Sequence, residues 1–357
     1  MIPSRKLDHI LISMEKDVQS RKGNGFKEIT FVHRALPEID KEEIDLSVDF
    51  FGRRIKAPIV IAGMTGGHEK ALEINRNLAL AAQEMGIPMG VGSQRAALED
   101  PSLVPTYSVA RDAAPDAFII ANIGAVQFAS GYGLKEAERA VDMIGANALA
   151  VHLNPLQEAL QPEGDWSFKG CLDGIRGLRG LRVPIIAKET GAGIAREEAV
   201  LLEEAGVQGI DVGGLGGTSF AAVEQYRQER DSGSTFREWG IPTAVSVIEC
   251  VEYTDCKVIA TGGIRSGLDV AKALALGADA CGIAWPLLSR ALKGPGEVVK
   301  EVGRLLEELR IAMFLLGARD MGGLRGSDMI IGGGVREWLE GRGMEWRKFA
   351  NRRLVER

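Results

Sequence analysis

The string HLNPLQE at residues 152–158 gathers His152, Asn154, Gln157 and Glu158 within seven positions. A carboxylate with no second acid beside it is a common way of holding Mg2+ when substrate phosphates complete the shell. Glu158 has an alternative reading, as a carboxylate near a helix N-terminus, where the macrodipole favours it. Two further groups could meet an anion. Arg5, Lys6 and His9 fall in RKLDH (residues 5–9), and Ser93, Gln94 and Arg95 in VGSQR (residues 91–95). Arginine offers phosphate paired N–H donors and lysine a point charge. Taken alone, RKLDH is an ordinary charged N-terminus.

A second kind of anion site is written in glycine. The chain has 45 glycines in 357 residues, above the usual share of about 7%. They cluster after short apolar runs, as AGMTGG, GVGS, DVGGLGG and ATGGI. In VIATGGIRSGLDVAKALALGADACGIAWP, a strand, a glycine turn, a helix and another strand follow in order. Gly262 and Gly263 let backbone N–H groups point at an anion where a helix begins, and Arg265 adds a charged donor. DVGGLGGTSF is a second cradle, with Thr218 and Ser219 as hydroxyl donors. Lys188, in AKET, needs an anionic partner if it is buried. The electron-rich edge of a reduced flavin would serve, and so would a neighbouring carboxylate.

Eight strand-like runs carry these residues: 58–62, 88–92, 117–121, 148–153, 183–188, 209–212, 257–261 and 280–284. Most are continuously apolar, as strands buried on both faces of a parallel sheet are. Amphipathic runs such as LEINRNLALAAQEMG and LDVAKALALG alternate with them, and several stop at glycine. Eight βα units in a row predict an α/β fold, a (β/α)8 TIM barrel with its chemistry at the C-terminal ends of the strands. No Pro/Ser-rich linker divides the chain, so residues 1–357 are expected to form a single domain. Its parts are an N-terminal extension (1–56), the barrel (57–320) and a C-terminal segment (321–357). A long excursion, 215–241, follows strand six. Its polar stretch Gln225–Thr235 reads as a lid or as a solvated loop.

The net charge of −6 gives no reason to expect a nucleic-acid or membrane surface. No apolar run is long enough to span a bilayer, and MIPSRKLDHI lacks the apolar core of a signal peptide. Cys171, Cys250, Cys256 and Cys281 form no CxxC pair and read as thiols in a reducing cytoplasm. His33 and His68 match no motif and read as surface or loop residues. The apolar C-terminal part could cover a partner or cap its own barrel.

HLNPLQE and RKLDH, with MTGG (64–67), VGSQR and ANIG (121–124), resemble the type II isopentenyl-diphosphate isomerases from residue 5 to about residue 320. The resemblance implies an isomerase of isoprenoid biosynthesis, using reduced FMN, Mg2+ and NADPH as the reductant, and assembled as a homotetramer or homo-octamer. Met64, Thr65, Gly66, Ser93, Asn122 and Lys188 would hold the isoalloxazine. Thr218, Gly263, Ile264, Arg265, Ala284 and Trp285 would hold the ribityl phosphate. Arg5, Lys6, His9, Ser93, Gln94 and Arg95 would bind the diphosphate, with His152 and Asn154 near it. Gln157 would contact the hydrocarbon end, Glu158 would ligate Mg2+, and the catalytic side chains would be His152, Gln157 and Glu158. Where the family often carries Ser, this chain has Gly213, which removes one hydroxyl contact to the flavin phosphate.

Three rivals share parts of this pattern. An α-hydroxy-acid oxidase of the same FMN barrel type would carry a catalytic His shortly before the late glycine string, where this chain reads TAVSVIECVEYTDCKVIATGG. A purine-nucleotide dehydrogenase would need a cysteine in GGLGGTSF. A non-enzymatic flavin or phosphate sensor would have no use for RKLDH or HLNPLQE.

Overall fold

The computed structural model describes residues 2–228 and 232–355, with side chains described from Asp8 onward except at 232, 354 and 355. Eight parallel strands close into a barrel in chain order. They are β1 (Ile59–Ile61), β2 (Met89–Gly90), β3 (Ile119–Gly124), β4 (Ala148–Leu153), β5 (Ile185–Glu189), β6 (Gly209–Asp211), β7 (Lys257–Thr261) and β8 (Ala280–Ile283). β8 returns to pair with β1, Cys281 opposite Ile59. The expected (β/α)8 barrel is the fold found.

β4 and β7 have the bounds read from the sequence, but β3 runs on through Asn122 to Gly124. The polar Asn122 interrupts the apolar run without ending the strand, because its side chain is satisfied internally. Its Nδ2 donates to the Val91 carbonyl at 3.1 Å, and Oδ1 lies 2.8 Å from His152 Nδ1. Helix Glu69–Met85 starts at His68, whose Nδ1 accepts the Ala71 N–H, and stops at Gly86, φ +64°. His68 is thus a buried cap rather than a surface residue, while His33 is exposed. Helix Pro295–Leu316 packs on Gly267–Ala275 and on Glu69–Met85. Leu309, Ala312, Met313 and Leu316 are buried there, so this apolar stretch covers its own barrel.

The first 56 residues do more than extend the chain. Strand Ile29–Phe31 pairs antiparallel with Met329–Ile331, joining the N-terminal extension to the C-terminal segment. A hairpin, Val48–Phe50 with Arg53–Ile55, turns through Phe51 and Gly52 at φ +50° and +77°. Both values are positive, as a two-residue type I′ turn requires. The hairpin carries Phe50 against Phe118, ring centroids 5.0 Å apart, at the start of β3. Phe51 lies over Gly209, where a Cβ would come within 2.5 Å of its ring. The two rings close the N-terminal end of the barrel and join the inward side chains of Val60, Ile120, Ile186 and Ile259.

The excursion after β6 is more ordered than its polarity suggested. Gln225–Gln228 belong to helix Phe220–Gln228, and Ser232–Thr235 form a short helix; residues 229–231 lie outside the described ones. Ala221, Ala222 and Val223 are buried, and the polar side chains find distant partners. Among the described residues no helix is long and apolar enough to cross a membrane. The four cysteines are free, and burial pushes the Cys256 thiol up to about 12 and raises Cys250 and Cys281 as well. They read as packing residues.

Phe50→Ala is expected to lower unfolding stability by about 3–5 kcal/mol, the usual cost of emptying a buried aromatic site. Urea denaturation followed by far-UV circular dichroism checks this; a loss below about 1 kcal/mol would mean that the hairpin does not plug the barrel.

Candidate active site

The C-terminal ends of all eight strands open into one cleft, and helix Ile2–Glu15 contributes to its wall through His9, Ile10 and Ser13. Strand register sets its floor. His152 on β4 lies opposite Lys188 on β5, and Lys188 opposite Asp211 on β6. Lys188 Nζ sits 3.2 Å from Asp211 Oδ2 and donates to the Glu189 carbonyl at 3.0 Å. The neighbouring carboxylate therefore exists. An ammonium has three donors, so the third stays available to a ligand in the cleft that Lys188 lines. Because Asn122 spends its Nδ2 on Val91, its Oδ1 must accept, and His152 Nδ1 is the donor. Protonation at His152 Nε2 then decides whether the ring is neutral or cationic.

The loops after β6 and β7 form the glycine side of the cleft. Gly262 and Gly263 adopt φ +124° and +71°. A Cβ on Gly262 would meet the Gly214 carbonyl at 2.2 Å, and one on Gly263 the Gly216 carbonyl at 2.1 Å. Backbone thus packs on backbone, leaving a wall for a bulky flat ligand and its phosphate. Gly213 has φ +47°, and a Cβ there would fall 2.0 Å from the Glu189 carbonyl. The backbone at this position is shaped for glycine. Ser266 caps helix Gly267–Ala275 by accepting the Asp269 N–H. Arg265 lies over the Trp285 ring at 5.4 Å, donates to Gln19 Oε1 at 2.6 Å, and is lowered in pKa by burial. The Thr261 hydroxyl is buried without a partner and belongs to a cleft-lining residue. This glycine cradle, with an unsatisfied hydroxyl beside it, fits a flavin mononucleotide.

The opposite side is built from side chains. Helix Pro155–Leu160 carries Gln157 and Glu158 in its first turn. Glu158 Oε1 accepts from Asn154 Nδ2 at 2.9 Å, and Oε2 from Gln161 Nε2 at 2.6 Å and the Asp165 N–H at 2.8 Å. Asn154 Oδ1 is buried with no partner. No cluster of three His, Cys, Asp or Glu residues occurs among the described ones. One carboxylate with one orphaned amide oxygen fits a hard cation that takes its remaining ligands from water and substrate. Arg95 lines the cleft while holding Glu99 at 2.8 Å.

The N-terminal helix is fastened at both sides of the mouth. Trp285 Nε1 donates to the Ser13 carbonyl at 2.7 Å, and His9 Nε2 lies 2.8 Å from Glu224 Oε1. Burial pushes the Glu224 carboxyl up, but His9, Arg227 and Gln228 outweigh it and hold the group below its ordinary value. Arg5 and Lys6 belong to the same helix, and their side chains lie outside the described ones.

Most of the residues read from the sequence line this cleft: His9, Met64, Ser93, Arg95, Asn122, His152, Asn154, Gln157, Glu158, Lys188, Thr218, Gly263, Ile264, Arg265, Ala284 and Trp285. Four depart. Gln94 is turned into the protein, donating to the Ala140 carbonyl and accepting the Asn122 N–H. It fixes β3 rather than touching a substrate. Thr65 is buried with its hydroxyl on His68 Nε2 at 3.0 Å, and Gly66 packs against the Tyr107 ring; neither side chain position faces the cleft. Ser219 Oγ accepts the Ala222 N–H and donates to the Arg237 carbonyl, so it caps a helix instead of offering a hydroxyl to phosphate. Sequence reasoning missed Gln127, Thr190, Thr261 and Asp211. Thr261 and Asp211 stand directly beside the glycine strings, and that adjacency was the available signal.

The model of the FMN-dependent dehydrogenase family matches residues 3–103 and 134–330. A protein of Methanothermobacter thermautotrophicus named isopentenyl-diphosphate delta-isomerase is 51% identical over 354 residues, covering 99% of this chain and all of its own length. Proteins of the same name from Thermococcus kodakarensis and Halobacterium salinarum are each 52% identical, covering 95% of this chain and 94% and 96% of their own. Among solved structures, a mandelate oxidase with (S)-2-phenylpropionate superposes with a TM-score of 0.61 at 22% identity, covering 91% of this chain and 94% of that one. A flavocytochrome b2 variant with sulfite bound gives 0.63 at 20% identity, covering 89% and 81%. The structural likeness is one of fold. By its family match and its full-length relatives, the chain belongs to the FMN-dependent dehydrogenase family and, within it, to the isopentenyl-diphosphate delta-isomerases.

Proposed function

We propose that this chain interconverts isopentenyl diphosphate and dimethylallyl diphosphate, adding a proton at C4 and removing one at C2 on the way to the latter. The observation that carries the reading is the composition of the cleft at the strand ends. One side is a backbone cradle for a flavin phosphate, and the other is a cluster of imidazole, guanidinium, amide and carboxylate groups suited to a diphosphate with its cation. An oxidase-type barrel would need a base near the β7 glycines, and helix Thr243–Tyr253 ahead of them contains no histidine.

An isolated alkene is a very weak base, and protonating it generates positive charge at a tertiary carbon. The site must therefore exclude water while that charge exists. When bound, reduced FMN would supply the acid–base group, with NADPH needed only to reduce it because the reaction has no net redox change. Lys188 would hold the N1/C2=O edge of the isoalloxazine with its third N–H. Gly263, Ile264, Ala284 and Trp285 would hold the ribityl phosphate, with Arg265 and Thr218 adding side-chain donors. At the other side His9, Arg95 and His152, with Arg5 and Lys6 of the same N-terminal helix, would neutralise the diphosphate. Glu158 would hold Mg2+ against it, with Asn154 Oδ1 beside the cation. Gln157, whose Oε1 takes a long bond from Asn154 Nδ2 at 3.3 Å, would orient toward the hydrocarbon end. Exposed Trp166 and Trp239 leave apolar surface for a homo-oligomeric contact; the assembly would be a homotetramer or homo-octamer, which light scattering would count.

Proton NMR of isopentenyl diphosphate with FMN, Mg2+ and NADPH in D2O tests the reading. Dimethylallyl diphosphate carrying deuterium, without stoichiometric NADPH loss, is the expected product; a reducible flavin that turns nothing over would refute it. Gln157→Ala and Glu158→Ala should each lower kcat by about 100-fold or more and leave the bound flavin, read from its visible spectrum, at wild-type stoichiometry. Lys188→Met should weaken FMN retention and cost about 3–5 kcal/mol, because Asp211 is left buried and unpaired. Adding Asp211→Leu should recover the stability but not the flavin, which separates the two roles of Lys188.

A further inference from the structure

The segment after HLNPLQE folds back on Glu158. Gln161 is 1% exposed and gives its Nε2 to Glu158 Oε2 at 2.6 Å. The Asp165 N–H donates to the same oxygen at 2.8 Å, and the Trp166 indole N–H reaches the Glu158 carbonyl at 3.0 Å. Gly164 packs so closely that a Cβ there would come within 1.8 Å of that carbonyl. None of these contacts belongs to the hydrogen-bond ladder of helix Pro155–Leu160.

The donors divide the carboxylate unequally. Each oxygen offers about two lone-pair directions. Oε2 uses both, on Gln161 and Asp165, whereas Oε1 uses one, on Asn154 Nδ2 at 2.9 Å. The remaining direction is on Oε1, on the same residue pair as the orphaned Asn154 Oδ1. The segment is also anchored from outside. Glu163 accepts from both terminal nitrogens of Arg227 at 2.5 and 2.6 Å, and Gln228 Nε2 donates to the Leu160 carbonyl at 3.3 Å. Loss of the Gln161 amide would therefore be felt at the carboxylate before it loosened the backbone.

We propose that Gln161 is a positioning residue for the divalent cation, fixing Glu158 so that it meets the metal through Oε1 alone. The proposal rests on the reading of Glu158 as the cation's ligand. One-oxygen ligation leaves the other positions of an octahedral shell to water and to diphosphate oxygens, which is how Mg2+ is commonly shared between a protein and a phosphorylated substrate. Partners of this kind behind a metal ligand typically change metal affinity by about 10–100-fold.

The test uses the FMN-loaded protein, Mn2+ as the probe and inorganic pyrophosphate as the anion, with free Mn2+ read by electron paramagnetic resonance. Gln161→Met keeps the bulk and removes the donor; Gln161→Leu removes it with a branched side chain of similar size. Each is expected to raise the Mn2+ dissociation constant by about 10–100-fold and to raise the half-saturating Mg2+ for turnover in step. kcat at saturating Mg2+ and the flavin spectrum should be retained. Glu158→Ala should abolish the Mn2+ signal change. Superimposable Mn2+ titrations for wild type and both Gln161 variants would overturn the proposal, as would undiminished Mn2+ binding by Glu158→Ala. Weakened Mn2+ binding in a wild-type background that never isomerises isopentenyl diphosphate would instead sink the isomerase reading and leave the positioning role intact.

Discussion

A lysine ammonium only 12% exposed must be paired, and the partner of Lys188 decides what the mouth of this barrel can hold. That partner is Asp211, on the adjacent strand and opposite Lys188 in the register. The pair depends on no loop, so it is present before any ligand binds. Asp211 and the Glu189 carbonyl take two of the three N–H donors, and the third is available to a ligand with an acceptor edge. The same register places His152 opposite Lys188 on the other side, so one row of strand residues sets both the proposed flavin side and the proposed diphosphate side.

Two kinds of anion recognition then divide the cleft. On the β6–β8 side the wall is backbone, with glycines packed so tightly that a methyl group at Gly262 or Gly263 would collide with a facing carbonyl. Such a wall suits a resident cofactor, because it is rigid and carries little net charge. On the other side the wall is made of side chains, each held by a partner: Arg95 just past β2 by Glu99, His152 on β4 by Asn122, and His9 on the N-terminal helix by Glu224. The overall charge of −6 has no bearing on either site, since both potentials are local.

The barrel and most of the cleft were legible because strand ends and glycine loops are local signals. What stayed hidden depended on side-chain direction or distant partners. Gln94 stands between Ser93 and Arg95, which both line the cleft, yet it faces the other way and clamps β3. No motif states that alternation. β3 seemed to end before Asn122 because an amide in an apolar run looks like a loop residue; its acceptor on Val91, just past β2, and its donor on His152 of β4 come from elsewhere in the barrel. The polar run from Gln225 read as a loop because the glutamate that satisfies Arg227 lies sixty-four positions earlier, at Glu163. Lys188 left two readings open; the fold supplies the carboxylate, Asp211, and leaves one N–H of the ammonium toward the cleft.

The most direct test of this account is a crystal structure of the reduced, FMN-loaded protein with isopentenyl diphosphate and Mg2+. The account predicts the flavin phosphate against Gly263 and Ala284, with an isoalloxazine acceptor within hydrogen-bond distance of Lys188 Nζ. It also predicts the diphosphate among His9, Arg95 and His152, with the cation on Glu158. A diphosphate seated on the glycine loops, or a flavin whose acceptor edge turns away from Lys188, would contradict it.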